Sequence, residues 1–211
     1  TSEYGRSIDG TNGDVTVVLG ANSSIQSYDE GITGTDNLTI SSGASITSDN
    51  NTGVEGTDGN DTFDISGTIT GGNGTAIDLG NSSDELILRT GAGFVGDVDG
   101  GDGSDTLTLF GSGNEDANFS SFENLQISGT LWQLTGTSTF GSGSIDNGLF
   151  INNGTLTGSV DVESNGIFGG SGTTIGTVTN DGIIAPGNSV GTITITGNFV
   201  QNSNGTLEIE I

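Results

Sequence analysis

Short runs in which apolar and polar residues alternate recur along the whole chain. Val15-Thr16-Val17-Val18-Leu19 and Leu107-Thr108-Leu109 are two of them, and β-branched residues are frequent in such runs. A period of two predicts a strand with one side toward a core and the other toward water. Each run is too short for a helix and ends near Gly, Asn or Asp, which favour tight turns. The pattern predicts an ordered all-β chain.

An acidic residue followed by an alternating strand returns four times in the first half of the chain. The copies begin at Asp36, Asp61, Asp84 and Asp105, so their spacings are 25, 23 and 21 residues. Repeats with such a period indicate a solenoid, because one repeat cannot bury its apolar side alone whereas stacked repeats can.

Two further sets of strands keep the same step. One contains Ile25, Ile46 and Ile69, and the other contains Gly31-Ile32, Gly53-Val54 and Thr75-Ala76-Ile77. Each repeat therefore carries about three short strands joined by turns. We predict a right-handed, single-stranded parallel β-helix of about ten turns, which at ~4.8 Å per turn would be a rod on the order of 50 Å long.

The character of the repeats changes near residue 120. From there on, Asn-Gly or Asp-Gly pairs precede the strands, at Asn147-Gly148, Asn165-Gly166, Asp181-Gly182 and Asn204-Gly205. No linker rich in Pro or Ser separates the two parts. We therefore predict one continuous solenoid with a first part over residues 1–119 and a second part over 120–211. Residues 112–116 are expected to be a looped-out insertion at the join.

The charge of the chain is strongly negative. Asp and Glu number 27 against 2 Lys and Arg, which gives a net charge of −25. This balance argues against nucleic acid and anionic lipid as direct partners, which need cationic patches. It favours cations or basic partners. The chain has no Cys and therefore no disulfide, and it has no run of about 18 apolar residues that would predict a transmembrane helix.

We expect no enzymatic activity. The chain has no His, so a Ser-His-Asp triad cannot form, and Ser189 has no base beside it. Zinc sites lack both Cys and His ligands. Two carboxylates could serve a glycosidase, but sites of that kind add cationic and aromatic side chains. Here the only cations are Arg6 and Arg89.

Two glycine-rich acidic turns are candidates for calcium. Residues 100–108 fit the nonapeptide G-G-x-G-x-D-x-U-x of calcium-binding β-rolls, and residues 56–64 fit it with one mismatch. Carboxylates and exposed carbonyls are the ligands that calcium prefers. However, the two copies lie 44 residues apart rather than in tandem, so plain acidic turns are the alternative. No other cofactor is predicted. The candidate ligands are Asp58, Asp61, Asp102 and Asp105.

The aromatic residues are expected to fill the core or cap its ends. They are one Trp (Trp132), two Tyr (Tyr4 and Tyr28) and nine Phe. The alternative is an exposed aromatic stripe that binds a glycan.

The second part of the chain resembles a known family. The segment NDGIIAPGNSVGTITITGNFVQ contains the only Pro, and FENLQISGTLWQLTG contains the only Trp in a Trp-x-Leu-x-Gly strand. Over residues 120–211 they resemble the C-terminal end of the passenger domain in bacterial type V autotransporters. The resemblance implies that this part nucleates folding of a β-helix during secretion. It also implies a structural role for Trp132, Leu134, Pro186, Gly187, Asn188 and Phe199.

The resemblance further implies a non-enzymatic protein at the bacterial cell surface. It would be an adhesin or stalk, attached to the outer membrane or released, with a role in virulence. Its partner would be a receptor or glycan on a host or neighbouring cell. In the family an outer-membrane barrel follows this segment, and none follows Ile211 here, so the barrel is expected as a separate partner.

Two alternatives of other classes remain at this point. The alternating end strand from Leu207 to Ile211 could pair with the first turn of another copy, which would make the chain a self-assembling filament or layer subunit. The acidic turns could instead make it a calcium-dependent binding module like the β-rolls.

Overall fold

A computed structural model describes residues 8–10, 15–187 and 191–209. Within these ranges the chain forms strands and no helix, so no described helix could span a membrane. The strands are β1 (Ile8–Asp9), β2 (Thr16–Leu19), β3 (Ser24–Ser27), β4 (Ile32–Thr33), β5 (Asn37–Ile40), β6 (Ser45–Ser48), β7 (Val54–Thr57), β8 (Thr62–Ile65), β9 (Thr68–Ser82), β10 (Glu85–Leu88), β11 (Gly93–Asp99), β12 (Asp102–Gly103), β13 (Thr106–Leu109), β14 (Ser112–Glu115), β15 (Phe119–Ile127), β16 (Leu131–Leu134), β17 (Thr137–Asn152), β18 (Thr155–Gly170), β19 (Thr173–Ile175), β20 (Val178–Asn180), β21 (Ile183–Pro186), β22 (Thr194–Thr196), β23 (Phe199–Gln201) and β24 (Thr206–Leu207).

These strands stack in parallel as a solenoid of about nine turns, against the ten predicted. The predicted parallel β-helix is thus confirmed. Its right-handed sense stays an expectation, which agrees with the general preference for right-handed crossovers between parallel strands.

The solenoid has three faces, which we call A, B and C. Face A runs without a break from β2 through β5, β8, β10, β13, β15, β17, β18 and β20 to β23. Face C runs from β1 through β4, β7, β9, β11, β15, β17, β18 and β19 to β22. Face B consists of two runs, β3 to β11 and β14 to β24.

The core is made of apolar side chains that stack on like neighbours. The predicted column Ile25, Ile46 and Ile69 pairs in register on face B. On face A, Phe63 and Leu86 pair in the same way, and each is completely buried. Burying such a side chain stabilises the fold by about 1.5–3 kcal/mol. The alternation read from the sequence therefore gives the inward and outward positions correctly.

The predicted insertion at residues 112–116 is wrong. Residues 112–115 form β14, which pairs in register with β16. The sequence hides this strand because its inward positions are not apolar. Gly113 leaves room for the ring of Trp132, since a Cβ at residue 113 would lie 2.3 Å from a ring carbon. Glu115 points inward and is only 3% exposed.

The join between the two parts is nevertheless visible on face B. Within the described chain no strand pairing connects β11 to β14. The carboxylate of Glu115 instead accepts a hydrogen bond from the backbone N–H of Phe94. The ring of Phe94 meets Phe119 edge to face at 6.3 Å. Faces A and C continue past this point, because β15 crosses the predicted boundary at residue 120.

Turns of the solenoid are shorter after the join. β17 and β18 each have 16 residues and pass through all three faces. Thr137 pairs with Thr155 and Thr155 with Thr173, which sets a period of 18 residues. The predicted turns at Asn147-Gly148 and Asn165-Gly166 are bends inside these strands, and the two pairs align with each other.

The predicted end strand from Leu207 to Ile211 is only partly formed in the described chain. β24 contains Thr206 and Leu207 and pairs with β21. The backbone N–H of Glu208 donates to the carbonyl of Ile184 at 2.9 Å. Residues 210 and 211 lie outside the described ranges.

Candidate functional site

The four predicted calcium ligands lie on one corner of the solenoid, where the chain passes from face C to face A. We call this the carboxylate corner: residues 57–61, 80–84 and 101–105 of three successive turns. The corner holds two columns of side chains. Asp58 and Asp102 belong to an exposed outer column, whereas Asp61 and Asp105 belong to a buried inner column.

The outer column is interrupted by an amide. Asn81 lies in the turn between Asp58 and Asp102: its side-chain amide donates to Asp58, and its backbone pairs with Asp102. Asp58 and Asp102 are therefore two turns apart, about 10 Å, whereas calcium–oxygen bonds are about 2.3–2.6 Å. One ion cannot bind both carboxylates in this arrangement.

Glycines allow the corner to fold tightly. Gly80 and Gly101 both have positive φ, 99° and 88°. A Cβ at residue 101 would lie 1.9 Å from the carbonyl oxygen of Gly80. Only glycine combines this backbone conformation with so close a contact.

The inner column contains three buried carboxyl groups, which we call the carboxyl ladder: Asp61, Asp84 and Asp105. Their exposed fractions are 1%, 2% and 0%. The backbone N–H of Asp61 donates to Asp84 Oδ1 at 2.7 Å, and that of Asp84 donates to Asp105 Oδ1 at 2.8 Å. Glu123 ends the series by accepting from the N–H of Asp105 at 2.7 Å. Each carboxyl thus clamps the turn before it.

Burial changes the acidity of the ladder. It raises the pKa of Asp84 to about 7, although the hydrogen bond from Asp61 opposes this change. It also raises the pKa of Asp61 and of Asp105 above the usual range. A buried carboxylate is costly because water no longer solvates its charge.

The described residues contain no group of three or more His, Cys, Asp or Glu side chains arranged to hold a metal. The inner carboxyls are already engaged by backbone N–H groups, and the outer ones are separated by Asn81. Calcium binding by Asp58, Asp61, Asp102 and Asp105 stays a prediction.

An acidic groove of about 730 Å³ lies beside this corner. Four of its lining residues are acidic: Asp36, Glu55, Asp58 and Asp78. Burial, together with the charge of Glu30, raises the pKa of Glu55, and burial raises that of Asp78. No aromatic or basic side chain is among the described lining residues. The groove is suited to cations and lacks a stacking platform for a sugar ring.

Trp132 and Leu134 are core residues of the second part. Trp132 is completely buried and pairs in register with Phe150. The ring of Phe150 stacks on Phe168 with 5.8 Å between centroids and an interplanar angle of 11°. Leu134 is 2% exposed and pairs with Asn152. These positions agree with the structural role that the resemblance implies.

The remaining predicted structural residues lie nearer the end of the chain. Pro186 is the last residue of β21. Gly187 has φ 87°, and its N–H donates to the carbonyl of Gly170 at 2.9 Å. Phe199 lies in β23 and is 42% exposed. Asn188 lies outside the described residues.

Exposed aromatic side chains are scattered rather than aligned in the described chain. Tyr28 is 53% exposed after β3, and Phe110 is 48% exposed after β13. The guanidinium of Arg89 lies 5.2 Å from the Phe110 ring centroid. Tyr4 lies outside the described residues. The described part thus gives no aromatic stripe for a glycan.

The sequence analysis missed two buried acids. Asp84 begins one of the four acidic repeats, so its alignment with Asp61 and Asp105 could have marked it. Glu115 carries no such signal, because it lies in a segment without alternation.

Comparison of the chain with protein-family models, curated proteins and solved structures found no match. The functional argument therefore depends on the geometry and on the resemblance of residues 120–211.

Proposed function

We propose that the chain is the non-enzymatic β-helix passenger of a bacterial type V autotransporter, acting at the cell surface as a stalk or adhesin. Its second part, residues 120–211, would nucleate folding of the rod outside the cell. The observation that carries the proposal is the unbroken parallel stack of face A from β2 to β23, together with the family-like segments around Trp132 and Pro186.

The parallel stack supports a mechanical role. Each turn contacts only its neighbours, so length can be added without a new core. The described surface has an acidic groove but no cluster of metal-ligating side chains. A spacer that holds a binding region away from the cell needs stiffness and solubility, and the stack and the acidic surface supply both.

The second part has features that favour early folding. Its turns are short, and β17 pairs with β18 over three faces with few interruptions. Its core contains the aromatic series Trp132, Phe150 and Phe168. Only 7 of the 27 acidic residues lie in residues 120–211. Low charge and large buried side chains allow a few turns to be stable before the rest has formed.

The test is export of the full chain fused ahead of an autotransporter barrel. We expect folded, protease-resistant protein at the cell surface. Trp132→Ala should reduce the protease-resistant fraction severalfold, whereas Ile46→Ala, in the core of the first part, should reduce it less. Equal losses for both variants would contradict a nucleating role, and intracellular retention of the unaltered chain would contradict the passenger assignment.

The alternative is a self-assembling subunit joined through the end strand. Leu207 is 44% exposed and Ile209 is 66% exposed, and these side chains are the surface that such a contact would use. In that case light scattering should show a mass that rises with concentration, and Ile209→Lys should abolish the rise. A mass that stays monomeric over the whole range supports the passenger instead.

A further inference from the structure

The carboxyl ladder places three acidic side chains on successive turns. Thr62 pairs with Glu85, and Glu85 pairs with Thr106, so the aspartates that precede them are aligned as well. Adjacent turns are about 4.8 Å apart. Asp61, Asp84 and Asp105 are thus near neighbours inside the wall of the solenoid, each almost without solvent contact.

Hydrogen bonding satisfies the ladder only in part. Asp61 accepts from the N–H and the hydroxyl of Thr57, at 2.6 and 2.8 Å. Asp84 and Asp105 each use Oδ1 for the preceding turn, and their Oδ2 atoms are buried without any partner. A buried carboxylate oxygen that no donor reaches disfavours the ionised form, because the charge loses water and gains nothing in return.

The charges that act on the ladder are all acidic. Asp36 acts on Asp61, the two neighbours Asp61 and Asp105 act on Asp84, and Glu123 and Asp99 act on Asp105. The described cation Arg89 is bound to Asp64 instead. Each ionised member therefore makes ionisation of the next less favourable.

We infer that the carboxyl ladder is a proton-binding site built into the fold, so that the first part of the β-helix takes up protons as it forms and is more stable in acid than at neutral pH. The ligand is the proton, and the stability of β8, β10 and β13 is the property that it controls. This role is separate from the proposed passenger function and does not depend on it.

The direction of the effect follows from linkage. Burial raises the pKa of Asp84 from 3.8 to about 7, and it also raises that of Asp61 and Asp105. Between these two pH values the folded chain holds a proton that the unfolded chain has released. Stability is therefore greatest below 3.8 and falls as the pH rises to about 7. Each such proton changes the unfolding equilibrium constant about tenfold per pH unit.

Hydrogen exchange of the full chain in EDTA tests the inference. Opening equilibrium constants would be measured by mass spectrometry at pH 5 and 7.5, with correction for intrinsic exchange, for β8, β10 and β13 and for β17 and β18. We expect the constants of the first set to rise at least tenfold more than those of the second between the two pH values. An equal change in both sets overturns the inference.

Matched variants separate the ladder from the general charge of the chain. Asp84→Asn keeps an acceptor for the N–H of Asp61 and removes one buried carboxyl. It should reduce the pH effect on the first set at least severalfold, and Asp105→Asn should act alike. Asp102→Asn removes the same charge from the exposed side of the same corner and should leave the pH effect unchanged. The inference fails if Asp102→Asn reduces the effect as much as Asp84→Asn.

Calcium provides the remaining control. Calcium at pH 7.5 should not reproduce the protection that acid gives to β8, β10 and β13. Equal protection by calcium would overturn the inference, because the ladder would then bind a metal rather than protons.

Discussion

The two parts of the solenoid solve the same stacking problem with different chemistry. Residues 1–119 contain 20 of the 27 acidic residues, and residues 120–211 contain 7. Face C shows the change along one column. Its outward positions Glu55, Asp78 and Asp99 pair in register and lead to Ser120. Beyond the join, Thr139 pairs with Thr157 on the same face.

Carboxyl groups also behave differently in the two parts. In the first part, burial raises the pKa of Asp84 to about 7. In the second, burial acts in the same direction on Asp146, but hydrogen bonds from Ser144, Gln126 and Ser128 outweigh it and lower the pKa. The comparison teaches that a β-helix tolerates stacked acids, at a cost in neutral solution that depends on how many donors reach each carboxyl.

Trp132 should contribute most to the stability of the second part. Trp132→Ala leaves a cavity between Gly113 and Phe150, and we expect it to reduce the free energy of unfolding by about 3–5 kcal/mol. Urea unfolding followed by far-ultraviolet circular dichroism measures the change. Phe110→Ala, at a half-exposed site of the first part, is the control and should cost about 1 kcal/mol. Similar losses for both variants would remove the distinction between the parts.

Glu115 should weaken the join at neutral pH and above. Burial raises its pKa from 4.5 to about 7, and its Oε1 is buried without a partner. Since the folded pKa is the higher one, the cost of the charge appears as the pH rises from 4.5 to about 7. Glu115→Gln should therefore raise the free energy of unfolding by about 1–3 kcal/mol at pH 8 and change little at pH 4.

The control for this prediction is Asp116→Asn. Asp116 is exposed beside Glu115, so this variant removes the same charge without changing the buried contact. Thermal melting at both pH values would show the difference, and an unchanged melting temperature of Glu115→Gln at pH 8 would be the contrary result.

The smallest effect is expected for the ion pair of the first part. Arg89 Nε and Nη2 donate to the two oxygens of Asp64 at 2.5 and 2.7 Å. The pair is partly exposed, so Arg89→Ala should cost about 0.2–1 kcal/mol, and less in concentrated salt. A double-mutant cycle with Asp64→Asn isolates the pairwise part. A coupling of several kcal/mol would mean that this pair organises the first part, contrary to our account.

The repeat pattern predicted most of the fold. The four acidic copies beginning at Asp36, Asp61, Asp84 and Asp105 gave both the period and the alignment of face A, because stacking of like residues is visible in sequence. The break in face B could not be predicted in the same way. Its inward positions are Gly113 and Glu115, and neither residue shows which side of a strand it occupies.

The candidate site was predicted only in outline. Sequence placed Asp58, Asp61, Asp102 and Asp105 in glycine-rich turns and suggested one chemistry for all four. The structure separates them into exposed and buried columns, because two residues of a turn that differ by three positions point to opposite sides of the corner. This separation depends on the backbone of Gly80 and Gly101, which the motif alone does not specify.

The order of folding tests the central claim most directly, that the second part nucleates the rod. The full chain would be refolded from urea and labelled by pulses of hydrogen exchange, with protection followed by mass spectrometry in β17 and β18 and in β5, β8 and β10. We predict that β17 and β18 become protected first and that the first part follows. Protection of the first part before the second, or of both at one rate, would contradict the claim.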